Sequence, residues 1–201
     1  ATERETKGIT DEFYELYHQT RLMLIHAFEE KSKIEYADAV SIAQTYLNRL
    51  IFVLFAEGNN LIKDRVFIDG ILSKLNSGNL KEKTTDVSLF IQTLFSWMDD
   101  GSDEINNKLG FNGEFFKEPI DRNAFFYDFQ TTDFFKTVLN KVKISSSIKL
   151  NLENQDAIDR HNGRINPIII NFLKMASYNF KNYNPDDLND EDIDDGNEHI
   201  T

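Results

Sequence analysis

The sequence predicts a mainly α-helical fold, an irregular multi-helix bundle with one long ordered loop and at most a minor strand pair. Three observations carry that expectation. Apolar residues recur at three- and four-residue intervals over long segments. Clusters of Gly, Asn, Asp and Pro punctuate the chain between them. A single short stretch, 143–150, reads as a strand. With 201 residues the chain fits one ordinary domain, long enough to remove roughly two-thirds of its unfolded surface from water, so no disulfide or metal staple is required.

Residues 1–9 read as an N-terminal extension. The first helix, 10–31, aligns Phe13, Leu16, Tyr17, Thr20, Leu24, Ala27 and Phe28, with Asp11 and Glu12 at its electropositive start. The second, 34–61, gives the broadest stripe: Tyr36, Val40, Ala43, Leu47, Leu50, Ile51, Leu54 and Phe55, widened by Phe52. A helix of that kind belongs near the centre of the core. Gly58-Asn59-Asn60 supplies residues that tolerate a left-handed stop, and a weaker helix follows over 63–75.

Thr84 or Thr85 is placed to cap a helix reaching Met98, with Val87, Phe90, Ile91, Leu94 and Phe95 on one side. Asp99-Asp100-Gly101-Ser102-Asp103 should break it. Over 109–128 there is no steady period, only turn formers and phenylalanine pairs, which reads as a loop ordered by burial of its rings. Further helices are expected over 133–142 and 166–180, the latter with Pro167 in its first turn, where a missing N–H costs nothing. The helical domain so defined covers 10–181, and 182–201 reads as an acidic, solvated tail.

The formal net charge is −12, yet it is unevenly placed: eight acidic residues and no basic one lie over 186–198, leaving only about −4 for the rest. That argues against a general nucleic-acid coat, because phosphate binding needs clustered Lys and Arg. It also frames one alternative, a free-standing acidic helical module that binds a basic protein partner. The apolar stretches are interrupted by charge every few residues, and Ala1-Thr2-Glu3-Arg4-Glu5-Thr6-Lys7 leads into no apolar export signal. No membrane partner and a cytoplasmic location are the resulting expectations.

Catalysis has no visible owner. His18, His26, His161 and His199 show no metal-ligand spacing, and His18 and His26, eight residues apart on one helix, stand about 12 Å apart along its axis. Nucleophile-elbow, phosphate-loop and dinucleotide glycine patterns are absent from the sequence. Asp190-Glu191-Asp192-Ile193-Asp194-Asp195-Gly196 approaches a calcium loop, but its glycine falls one place late and its twelfth position is Thr201. Asn166-Pro167-Ile168-Ile169 lacks the second proline and the ring of an adenine-methyltransferase motif, and reads as a helix start. Glu153, Asp156 and Asp159 with Lys149 read as surface charge, since a nuclease acidic pair needs a supporting sheet. Phe125-Phe126-Tyr127 and Phe134-Phe135 have only Arg122 and Lys136 among them, so core packing accounts for them better than base stacking.

Two stretches together are more specific than either alone. Ala43-Gln44-Thr45-Tyr46-Leu47-Asn48-Arg49-Leu50-Ile51-Phe52-Val53-Leu54-Phe55-Ala56-Glu57 is followed, 55 residues on, by Asn112-Gly113-Glu114-Phe115-Phe116. This resembles the helical spacer of type IIG-like (type II) restriction-modification enzymes. In that family an "LxRLxFxxFAE" helix precedes an "NGGLF" loop, upstream of the adenine-specific DNA methyltransferase core. Glu114 stands where the family usually has its second glycine. The Phe13-Tyr14-Glu15-Leu16-Tyr17 helix extends the likeness, which spans about 9–180.

The resemblance implies a non-catalytic connector that holds nuclease and methyltransferase modules at a set separation and lines one side of the DNA path. S-adenosylmethionine and Mg2+ are implied for the parent enzyme, with no cofactor or metal held by these residues. DNA would be met through that parent. Six motif residues, Asn48, Arg49, Glu57, Asn112, Gly113 and Phe116, are the structural and interface candidates. Arg49 falls on the flank of the apolar stripe and Glu57 two turns later, so each is expected to cap or pair with a loop at the helix edge. Asn112-Gly113 has the backbone preferences of a turn, and Phe115 and Phe116 are expected to pin the loop to the core.

Overall fold

The computed structural model describes residues 3–30, 32–75, 83–111, 113–117 and 167–181. Among them the fold is mainly α, in five helices: α1 (Glu3–Glu30), α2 (Tyr36–Gly58), α3 (Val66–Leu75), α4 (Lys83–Asp100) and α5 (Pro167–Met175), with a 3-10 turn at Asp103–Ile105. The helix expected over 133–142, the strand over 143–150, the acidic cluster near Glu153 and the tail from 182 lie outside the described residues, as do Phe125, Phe126, Tyr127, Phe134 and Phe135.

α1 buries every member of its expected stripe, from Phe13 to Phe28. Its start is the correction: the helix begins at Glu3, so the expected 1–9 extension is largely helical and Asp11 and Glu12 sit in its third turn. The physical reason is local. Glu3, Arg4, Glu5 and Lys7 are good helix formers, and Gly8 alone is too weak a breaker to stop propagation from the packed turns.

α2 packs against α1 and α3 and is buried well beyond a stripe: Ala39, Tyr46, Val53 and Ala56 are as inaccessible as Leu47 and Leu50. That is the signature of a central helix, whereas Tyr36, at its first turn, is exposed. By length and composition α2 is apolar enough to cross a bilayer, contrary to the sequence expectation, but more than half of its most apolar window is buried inside the protein. The helix stops through a Schellman cap. Asn60 takes φ +59°, its N–H donates to Glu57 O at 3.4 Å, and Leu61 N donates to Ala56 O at 2.8 Å. Asn59 secures the end, its Nδ2 donating to Phe55 O at 2.9 Å and to Phe180 O at 3.0 Å.

α3 begins three residues later than expected, after Arg65 at φ +61°. At Gly70 the tip of the Phe90 ring lies where a Cβ would stand, so α3 and α4 approach through a position that only glycine permits without a shift. α4 starts at Lys83, which puts Thr84 and Thr85 inside its first turn instead of at its cap. It runs through Asp99 and Asp100, because the stop comes from Gly101 at φ +86°, whose N–H bonds Trp97 O at 2.8 Å.

Residues 101–110 then form a closed turn. Ser102 and Asn107 make an antiparallel bridge, Ser102 Oγ accepts from Glu104 N, and Asn107 Oδ1 accepts from the N–H groups of Leu109 (3.2 Å) and Gly110 (2.9 Å). The turn is tied to the α2–α3 link by Lys63 N to Ile105 O at 2.7 Å and Asn107 Nδ2 to Leu61 O at 3.1 Å. Ile105 is fully buried beneath it. α5 opens at Pro167 as expected but ends at Met175; 176–178 are turn residues, leaving Phe180 beyond the helix. It docks on α1 through the buried Asn171, whose Nδ2 donates to Thr20 Oγ1 at 3.1 Å, while the edges of Tyr178 and Phe180 meet Phe13.

Candidate functional site

The two motif segments come together in space. Arg49, on α2, is only 3% exposed, and its Nε donates to the carbonyl oxygen of Phe115 at 3.0 Å, a bond across 66 residues of sequence. Its guanidinium carbon lies 5.4 Å from the Phe95 ring centre and 5.8 Å from that of Phe116. A cation set against two neighbouring rings, with an N–H on a carbonyl, fixes the loop in direction as well as in distance. α2 supplies Arg49, α4 supplies Phe95, and the loop arrives from the turn at 101–110.

A ring cluster surrounds this clamp. Phe52, one turn along α2 from Arg49, has its centroid 5.2 Å from Phe111, 5.4 Å from Phe115 and 5.6 Å from Phe116. Phe116 is 5% exposed and also meets Phe95 at 5.9 Å. Phe115 differs: the residue is 45% exposed, and its backbone carbonyl, held by Arg49, adds to the ring contacts in anchoring the loop. The chain enters the loop through Phe111 N to Met98 O at 2.8 Å and tightens at Gly113 N to Phe111 O, 2.6 Å. Asn112 lies outside the described residues.

Asn48 faces the other way. Its Oδ1 accepts from the Tyr17 hydroxyl at 3.1 Å, coupling α2 to α1 instead of to the loop. Glu57 closes the far end of α2, 9% exposed, where its Oε2 accepts from Phe67 N at 3.3 Å and so satisfies an N-terminal donor of α3. Burial pushes its carboxyl up to about 7; Asp64 and Asp69 push the same way, and the Phe67 bond and Arg65 oppose them.

The five motif candidates among the described residues therefore divide. Arg49, Gly113 and Phe116 share the helix–loop junction, Asn48 and Glu57 serve two other helix contacts, and neither Arg49 nor Phe116 offers its side chain to solvent. Among the described residues no group of three or more His, Asp or Glu side chains is placed to hold a metal ion. Sequence reasoning missed Phe52 as the hub, Phe95 as the second ring of the clamp and Tyr17 as the partner of Asn48. Helical spacing marks all three as buried, but no local signal says which of them meet.

Glu57 gives a pH test. Between its ordinary 4.5 and about 7 the folded chain holds a proton that the unfolded chain has released. The associated stability is present below pH 4.5 and is lost as the pH climbs through about 7. Denaturant unfolding of Glu57→Gln should therefore match the unsubstituted chain near pH 5 and exceed it near pH 8 by on the order of 1–3 kcal/mol. Parallel stability curves for the two proteins would place the carboxyl outside that environment.

No family model, curated protein or solved structure matches this chain.

Proposed function

We propose that this chain is a non-catalytic helical connector of a DNA restriction-modification enzyme, placed between a nuclease and a DNA adenine methyltransferase. The observation that supports it most is the Arg49 clamp: the two stretches by which the sequence resembles the type IIG-like spacer, far apart in the chain, lock onto one another. In this reading the motif residues act mechanically. They fix the loop to α2 and α4, and so stiffen the body that separates the two modules. A cytoplasmic location and contact with DNA through the parent enzyme belong to the same proposal, as do S-adenosylmethionine and Mg2+ held by other modules.

The test compares the 201-residue chain with its parent enzyme. The chain alone should neither methylate nor cleave DNA, whereas Arg49→Met in the parent should lower both activities together and leave S-adenosylmethionine affinity unchanged. Methylation or cleavage by the isolated chain would overturn the connector role. The acidic stretch over 186–198 favours a second reading, an interaction module for a basic partner. That reading requires salt-sensitive binding to such a partner that disappears when 186–198 are deleted.

A further inference from the structure

Between the C-terminal end of α2, the link into α3 and the turn after α5 lies a cavity of about 270 Å3. Its wall includes Glu57, Asp64, Arg65, Tyr178 and Phe180. That volume falls just below the roughly 300–1,000 Å3 typical of drug-sized sites, so it suits a single side chain or a short alkyl ligand. We propose that the cavity binds an organic cation, a primary ammonium or a guanidinium on a short alkyl chain, with Glu57 as its counter-ion.

The charge distribution decides the sign of the ligand. Asp64 and Asp69 act on Glu57 from the link and from α3, while Glu12 and Glu15 of α1 act on Tyr178. In the cavity wall itself Glu57 and Asp64 are acidic and Arg65 is the one basic residue described; Lys63, Lys174 and Lys181 lie nearby in sequence but outside that wall. Two features would otherwise favour an anion, and both are engaged. The Phe67 N–H at the start of α3 donates to Glu57, and Arg65 Nη2 is bonded to Asp69 Oδ1 at 3.0 Å.

Glu57 meanwhile has acceptor capacity to spare. An ionised carboxylate offers about four lone-pair sites, and the one hydrogen bond described here is a long 3.3 Å contact to a backbone N–H. A cation beside Tyr178 and Phe180 would also meet aromatic rings, which attract positive charge. Binding would complete the ionisation of Glu57 and release its proton, so affinity should rise with pH. This inference concerns the α2–α3–α5 end of the molecule and is independent of the connector role.

The test is isothermal titration of the full chain with 1,5-diaminopentane and, separately, with Nα-acetyl-lysine amide, with glutarate as the anionic control. At least one amine should bind saturably, and roughly ten-fold tighter at pH 8 than at pH 6, the ratio of ionised Glu57 on either side of about 7. Preference for the diamine identifies a free amine as the ligand; preference for the lysine derivative identifies a partner's side chain. Glu57→Gln, whose carboxamide still accepts from Phe67 and whose fold is checked by its melting transition, should weaken binding roughly ten-fold or more. Saturable binding by neither amine, equal binding by the folded Glu57→Gln variant, or tighter binding of glutarate would each overturn the proposal.

Discussion

Replacing Arg49 with methionine is expected to destabilise the fold by about 2–4 kcal/mol and to lower Tm by roughly 5–15 °C. Methionine keeps most of the apolar stem, so the loss isolates the guanidinium. That group provides a charged hydrogen bond to Phe115 O and contacts with the Phe95 and Phe116 rings. Lysine should restore less than half of the loss, because a compact ammonium cannot meet both rings and the carbonyl as the wider guanidinium does. Hydrogen exchange sharpens the assignment. Protection should fall most at the N–H groups of Phe111 and Gly113 and less in α1 and α5, because the clamp bears first on the loop. A uniform loss of protection would mean that Arg49 supports the whole bundle instead.

Gly110→Ala should be as damaging, by about 2–4 kcal/mol, for a different reason. Gly110 has φ +68°, where a side chain is strained, and a Cβ there would stand 2.4 Å from Asp99 O and 2.5 Å from Gly101 N. These are backbone atoms, so no rotamer change relieves the overlap. Gly101 faces the mirror situation, with a Cβ position 2.2 Å from Lys108 O. The two glycines let the chain fold back on itself between α4 and the loop, which delivers Phe111 to Met98 and Phe115 to Arg49. Thermal unfolding measures the cost directly. A Gly110→Ala variant as stable as the unsubstituted chain would show that the turn opens freely.

The sequence made the helices legible and their ends less so. The α1 stripe from Phe13 to Phe28 and the central place of α2 follow from spacing alone, since apolar residues at helical intervals have to be covered. α1 starts earlier than the apolar spacing suggests, because propagation from a packed helix carries through Gly8 into polar turns that have no stripe. The polar stretch Asp99 to Asp103 marks the α4 stop by composition, but the backbone stops only at Gly101 within it, where a left-handed conformation is reached. Both differences come from reading composition where backbone geometry decides.

The junction was half legible. Arg49 at the edge of an apolar stripe and aromatic residues in a turn-rich loop each invite a partner, and the sequence named both. It could not join them, because the Arg49–Phe115 bond depends on the 101–110 turn, whose own geometry comes from Asn107 bonding two N–H groups and from Asn106 at φ +57°. Phe115 shows the limit most plainly. Its ring meets Phe52 and Phe116 as the sequence leads one to expect, but its carbonyl also takes the Arg49 bond, and a backbone atom carries no sequence signal.

The connector role stands or falls most directly on the natural reading frame beyond Thr201. Sequencing it should show a continuation into a methyltransferase core carrying cofactor-binding glycines and an Asn-Pro-Pro-aromatic motif. A frame that stops at that point, with no neighbouring gene encoding such a core, would contradict the account.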